Sequence, residues 1–211
     1  GIPLTEVDAA AIAPLTDGVD GQTFTYRGAE YTLPLLGAHQ LRNAAVALET
    51  VTALRARGWR IPDAAVRVGL AQVRWPARFE LLRRAPWFVL DGGHNPQCAQ
   101  TVADNLARYF PGRRITLLVG VLADKDWKAM FRQVLPMAKA FVAVTPDSPR
   151  ALPAEELAEW LRASSSCPVL VQDNLDAGVD AALSMAGPED VVCAWGSLYS
   201  VGEIRHHLGL C

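Results

Sequence analysis

The sequence predicts an α/β fold: a mostly parallel β-sheet with helices on both faces, preceded by a smaller segment made of a hairpin and two helices. Three observations support this. From Trp87 onward, five short apolar runs alternate with amphipathic stretches of helical period, the pattern of parallel strands covered on both faces. The runs are rich in Val, Ile, Leu and Phe and are bounded by Gly, Pro, Asp or Asn. Before Trp75 the pattern is different, so a boundary is expected at Trp75-Pro76-Ala77, with residues 1–75 forming the smaller domain and 76–211 the α/β domain.

Each element follows from its residues. Thr23–Tyr26 and Glu30–Leu33 alternate on either side of Arg27-Gly28 and read as a hairpin. Between Gln40 and Arg57, Leu41, Ala44, Ala45, Leu48, Val51 and Leu54 recur at helical spacing, and Gly58 stops the helix. Pro62 suits the first turn of a shorter helix reaching Leu70. By themselves these pieces offer too little apolar surface to close a core. Phe79–Leu82 is expected as an antiparallel edge strand. Strands then follow at Trp87–Leu90, Ile115–Val119, Phe141–Val144, Val169–Val171 and Val191–Ala194. Helices are expected at Pro96–Tyr109, Trp127–Met137, Ala154–Ala163, Leu175–Met185 and Val201–Leu208.

With 211 residues, 51% hydrophobic and 20% charged, the composition is that of a globular protein and excludes disordered and collagen-like chains. A net charge of -2 provides no field to attract a polyanion, so no nucleic-acid partner is expected. No apolar run approaches the ~18 residues of a membrane span, and no basic-then-apolar leader opens the sequence. The chain reads as cytoplasmic. Cys98, Cys167, Cys193 and Cys211 are far apart without a CxxC pair, as expected of free thiols in a reducing compartment. No metal site is expected: His206-His207 lacks companions at ligand spacing and reads as an exposed helical pair.

In doubly wound sheets ligands bind outside the carboxyl ends of strands, and here those positions are unusually polar. Neither GxxxxGK[ST] nor GxGxxG occurs, so the two familiar phosphate-binding turns are absent from the sequence. Asp91-Gly92-Gly93-His94-Asn95-Pro96 follows the first parallel run. It places a carboxylate and an imidazole on a tight turn whose Asn95-Pro96 starts a helix; the alternative is a plain capped turn with a surface histidine. Gly196-Ser197-Leu198-Tyr199 follows the last run and brings two hydroxyls to the same crevice. A Ser/His/Asp hydrolase reading is weakened because GxSxG is missing, and Gly196 turning the chain while Tyr199 packs is the alternative. Lys125, within Gly120–Asp126, is a candidate phosphate contact or else part of a solvated helix start.

In order along the chain, these segments resemble the folylpolyglutamate synthase/dihydrofolate synthase family of the Mur ligase superfamily. The resemblance rests on Leu36-Gly37-Ala38-His39-Gln40-Leu41-Arg42-Asn43-Ala44-Ala45, Trp75-Pro76-Ala77-Arg78-Phe79-Glu80, the Asp91–Pro96 turn, Gly120–Asp126, Ser148-Pro149-Arg150-Ala151-Leu152, and Gly196–Tyr199 with Val201-Gly202-Glu203. It implies a Rossmann-like sheet of the Mur ligase C-terminal type. It also implies an ATP-dependent ligase that phosphorylates a folate or dihydropteroate carboxylate and lets the amine of L-glutamate attack the acyl phosphate. By resemblance, Asn43 lies on the adenine side of ATP, Arg78 at the phosphates and Asp91 at the nucleotide. His94, Ser197 and Tyr199 lie near glutamate, with His94 and Asp91 as the catalytic pair. The family usually shows Asp-Gly-Ala-His-Asn and Pro-Gly-Arg-Phe-Glu, where this chain has Gly93 and Ala77. The family's ATPase domain, with its P-loop and magnesium ligands, has no counterpart here. Residues 1–75 are therefore expected to be the remnant of that domain, and the chain alone to be inactive. Another Mur-type amino-acid ligase, or a stand-alone nucleotide- or amino-acid-binding module without turnover, are the alternatives.

Overall fold

The structure, a computed structural model, describes residues 4–210. The expected free thiol of Cys211 lies outside the described residues; Cys98, Cys167 and Cys193 are free. The chain divides into two compact units that meet between Pro76 and Ala77. Among the described residues no helix is long and apolar enough to cross a membrane.

In the first unit, β1 (Ile12–Gly18), β2 (Gly21–Tyr26) and β3 (Ala29–Leu33) form an antiparallel sheet in that order, followed by α1 (Ala38–Ala56) and α2 (Asp63–Ala71). The β2–β3 hairpin turns on Arg27 and Gly28 at φ 48° and 79°, the doubly left-handed pair that matches the twist of the flanking strands. Phe24, Tyr26 and Leu33 meet Leu41, Ala44, Ala45 and Leu48 of α1 in a buried cluster. The expectation that these elements cannot gather a core is thus corrected: the hairpin and α1 bury a cluster between them, and a third strand that the sequence hides, β1, adds only Ile12 to its edge. It contains Pro14, its register shifts between Pro14 and Thr16, and most of its side chains are exposed, so it carries no alternating pattern. Pro62 caps α2 from just outside, at ψ 150°, rather than occupying its first turn.

The second unit holds β4 (Glu80–Arg84), β5 (Trp87–Asp91), α3 (Pro96–Tyr109), β6 (Ile115–Val119), α4 (Trp127–Arg132), β7 (Ala138–Ala143), α5 (Ala154–Ser164), β8 (Val169–Val171), α6 (Leu175–Ser184), β9 (Val191–Trp195) and α7 (Tyr199–His207). The strand order is β4-β5-β9-β6-β7-β8, with β4 antiparallel at one edge and the remaining pairs parallel. Alternate residues separate the two faces. Phe88, Leu90, Leu118, Val142, Val192 and Ala194 pack with Leu175, Val179 and Ala182 of α6 and Ile204 of α7. On the opposite face the Trp195 ring meets Phe131 of α4, and Trp87 meets Phe110 at the end of α3. The fold is therefore the expected mostly parallel sheet with helices on both faces. The helix expected over 127–137 ends at Arg132 and resumes as a single tight turn at Leu135–Met137, because Pro136 cannot continue an α-helical ladder. His207 is not simply exposed: its ring contacts Asp176 at 3.2 Å and Asp180 at 2.9 Å, clamping α7 to α6.

Candidate functional site

In the second unit β9 returns between β5 and β6, so the chain reverses its winding direction there, and the carboxyl ends of these strands form the topological switch point at which such sheets bind ligands. Glycines permit the close approach. Gly196, at φ 111°, comes so near the tip of β6 that a β-carbon on it would lie 2.5 Å from the Gly120 carbonyl oxygen. A β-carbon on Gly92 would meet the Leu198 side chain at 2.3 Å, so the loop after β9 lies directly on the turn after β5. Sequence separation hides this contact, yet it brings the two candidate constellations together.

Asp91, the last residue of β5, organises the turn. Its Oδ1 accepts from the Gly93 N–H at 2.7 Å and its Oδ2 from the Phe79 N–H at 2.8 Å, while the Gly92 N–H donates to the Ala77 carbonyl at 2.9 Å. Burial pushes the Asp91 carboxyl above its usual value, outweighing the two backbone hydrogen bonds and the positive charges of Arg78 and His94. The His94 Nδ1 lies 3.0 Å from the Gly92 carbonyl, which can only accept. Nδ1 therefore carries the proton, and in the neutral ring the Nε2 lone pair is left available. Asn95 Oδ1 accepts from the Cys98 N–H at 2.9 Å and caps α3.

Arg78 is exposed and stands on the strand-entry turn that Asp91 holds, so Arg78, Asp91 and His94 share one locality. Ser197 is buried, and its Oγ accepts from the Tyr199 N–H at 3.1 Å in a local turn two residues long, which leaves its hydroxyl proton able to be donated. Tyr199 is half exposed at the first position of α7. Lys125 Nζ lies 3.3 Å from Asp124 Oδ2, which also takes Arg150 Nη1 at 3.2 Å, so part of its charge is already compensated. Burial raises the Asp124 carboxyl, but Lys125 and Arg150 more than offset this and hold it below its usual value. Asp126 caps α4. Asn43 belongs to the first unit, on the exposed side of α1, where its amide donates to Gln40 Oε1 at 3.0 Å.

Residues 77–198, more than half of the chain, match the family model described as Mur ligase, glutamate ligase domain. The chain belongs to this family. Among relatives of this Mur ligase domain, a folylpolyglutamate synthase of Lacticaseibacillus casei is 33% identical over 195 residues, covering 89% of this chain and 44% of the relative. A dihydrofolate synthase/folylpolyglutamate synthase of Bacillus subtilis is 30% identical over 175 residues, covering 82% and 40%. Among solved structures, the Mycobacterium tuberculosis folylpolyglutamate synthase complexed with ADP and AMPPCP is 31% identical with a TM-score of 0.81, covering 95% of this chain and 48% of that one. Escherichia coli FolC in complex with DHPP and ADP gives 26% and 0.77, covering 95% and 46%. The chain thus spans less than half the length of these relatives.

Two departures from the usual family residues are not neutral here. Ala77 occupies left-handed backbone at φ 56°, where glycine is at ease, and is held there by its hydrogen bonds. At Gly93 a β-carbon would lie 2.8 Å from both Asp91 Oδ1 and Cys98 Cβ, so this chain has no room for the alanine. Arg150, which the sequence marks only as part of the Ser148–Leu152 segment, joins the Lys125 cluster through Asp124, a pairing that the 26-residue separation hides.

Proposed function

We propose that this chain is the C-terminal portion of an ATP-dependent ligase that joins L-glutamate to a folate or dihydropteroate carboxylate through an acyl phosphate, a cytoplasmic enzyme in which the remaining ATPase portion supplies the phosphate cradle. The observation that carries the proposal is the meeting of the Arg78 turn, the Asp91–His94 turn and the Gly196–Tyr199 loop at one switch point, in a glutamate ligase domain similar to nucleotide-bound synthases.

ATP is a substrate in this reading. Arg78 offers a fixed fork of donors to its phosphate oxygens, and Asp91 accepts from the nucleotide. Asn43 of the first unit is assigned to adenine on resemblance alone, and Lys125 to a phosphate. The folate carboxylate oxygen attacks the γ-phosphorus and ADP leaves. The glutamate nitrogen then attacks the acyl carbon, phosphate leaves, and the nitrogen's surplus proton passes to His94 Nε2. Ser197 and Tyr199 orient glutamate. Among the described residues no group of three or more His, Cys, Asp or Glu fits a metal ion. By the family resemblance, magnesium is assigned to the ATPase portion.

Substituting Arg78→Ala in the whole ligase tests this reading. Losing a charge-assisted contact of about 1.5–3 kcal/mol raises the KM for ATP roughly ten- to a hundredfold and leaves that for glutamate nearly unchanged. An unchanged ATP parameter removes Arg78 from the site, and failure to incorporate labelled glutamate into folate overturns the proposal.

A further inference from the structure

Arg78 stands between two residues in left-handed backbone, Ala77 at φ 56° and Phe79 at φ 46°. Neither is Gly, Asn or Asp, and each such residue costs about 1–2 kcal/mol. A turn of this kind persists only where its surroundings over-determine it. Three hydrogen bonds do so. The Phe79 N–H donates to Asp91 Oδ2 and the Ala77 carbonyl accepts from the Gly92 N–H, tying the turn to the tip of β5. The third is made by Glu80, whose Oε2 accepts from the Ala77 N–H at 2.9 Å. The Ala77 and Phe79 side chains are buried, and the Phe79 ring lies 5.8 Å from that of Tyr109, so Arg78 is the member of the turn left facing outward.

Glu80 is itself held. Its Oε1 accepts from Arg205 Nη1 of α7, and Arg205 Nη2 donates to the Leu210 carbonyl at 3.1 Å. The two side chains retain only 27% and 20% of their exposure, so solvent screens this ion pair less than an ordinary surface one. One carboxylate therefore joins the strained turn to the last helix of the unit, across 125 positions of sequence.

We propose that Glu80, anchored by Arg205, is a positioning residue for nucleotide binding, fixing the left-handed turn that presents the Arg78 guanidinium to the phosphates without touching them. The inference rests on the assignment of Arg78 made above. It separates two properties of Glu80. Glutamine retains a carbonyl oxygen for the Ala77 N–H but loses the charge that holds Arg205, whereas alanine loses both. Because Glu80 acts through Arg78, its removal has nothing further to take away once the guanidinium is gone.

The test is a double-mutant cycle in the whole ligase, read as the dissociation constant of ADP and of a non-hydrolysable ATP analogue, alongside the KM for glutamate. Glu80→Ala and Arg78→Ala are each expected to weaken nucleotide about tenfold or more, and Glu80→Gln by less than Glu80→Ala. The glutamate KM should stay within about twofold of the parent value, and the double variant should bind nucleotide no more weakly than Arg78→Ala. Arg205→Met, which leaves Glu80 in place, keeps the test alive if Glu80→Ala does not fold, and is expected to shift affinity in the same direction by less. Independent, multiplying losses in the double variant overturn the inference, as does unchanged affinity in Glu80→Ala or, where that variant does not fold, in Arg205→Met. If Arg78→Ala alone leaves affinity unchanged, the assignment of Arg78 fails and the inference falls with it; additivity beside a weakened Arg78→Ala refutes the positioning role alone.

Discussion

Gly196 and Gly202 lie six positions apart, and the structure assigns them opposite responses to the same methyl group. Gly196 closes β9 at φ 111°, a backbone that L-residues rarely adopt, and an added β-carbon would stand 2.5 Å from the Gly120 carbonyl oxygen. The conformational cost is about 1–3 kcal/mol. Relieving an overlap with main chain rather than a side-chain end adds about 1–3 kcal/mol. Gly196→Ala should therefore destabilise the chain by about 2–6 kcal/mol, a large part of the ~5–15 kcal/mol that holds a typical domain folded. Gly202 sits inside α7 with nothing within 4 Å of its added β-carbon, so Gly202→Ala should stabilise by about 0.5–1 kcal/mol. Urea unfolding followed by tryptophan fluorescence reads both, with Trp195 adjoining the perturbed glycine. A Gly196→Ala variant within 0.5 kcal/mol of the parent would refute the close approach of β9 to β6, and with it the geometry that delivers Ser197 to the crevice.

Further outcomes follow from the shifted carboxylates. The folded-state value of Asp91 is raised, so its contribution to stability is fully present below the unfolded carboxylate value and is lost as pH rises through the folded one. Measured against Asp91→Asn, the parent should gain relative stability as pH is lowered through that window in urea titrations; a flat difference contradicts the burial argument. Asp190 has the opposite sign: Lys139 at 2.6 Å and the Gly187 N–H hold its carboxyl below the usual value despite burial. Asp190→Asn should cost about 1.5–3 kcal/mol at neutral pH, with the difference disappearing as pH falls below the ordinary carboxylate range and through the depressed folded value. A loss that persists unchanged in acid would show that the ion pair is not its source.

The readability of this sequence followed burial. Strands β5, β6 and β9 are covered on both faces, so their unbroken apolar runs were visible, and the polar residues just beyond them marked the Asp91–His94 and Gly196–Tyr199 turns. Strand β1 was not legible, because an exposed, bulged edge containing Pro14 has no period to read. The end of α4 was overrun because Val134, three positions after Phe131, continues an apolar pattern where the backbone has already left the helix. In the site, residue types were legible but their partners were not. Nothing local shows that Leu198 covers Gly92, or that alanine and phenylalanine adopt left-handed backbone around Arg78. Those features arise from contacts between strand tips, which sequence spacing does not encode.

In the proposed reaction one turn divides its labour, with Asp91 serving the nucleotide and His94 the incoming amine. The most direct measurement compares the two half-reactions in the whole ligase carrying His94→Ala: hydroxylamine trapping of the folate acyl phosphate beside incorporation of radiolabelled L-glutamate. Nδ1 is committed to the Gly92 carbonyl, leaving Nε2 to accept the proton, a role worth ~10²–10⁴ in rate. Trapped intermediate should stay near the parent level while amide formation slows by that factor, and Asp91→Asn should lose both. Equal loss of both steps in His94→Ala would contradict the claim and show that the turn acts as a single structural unit.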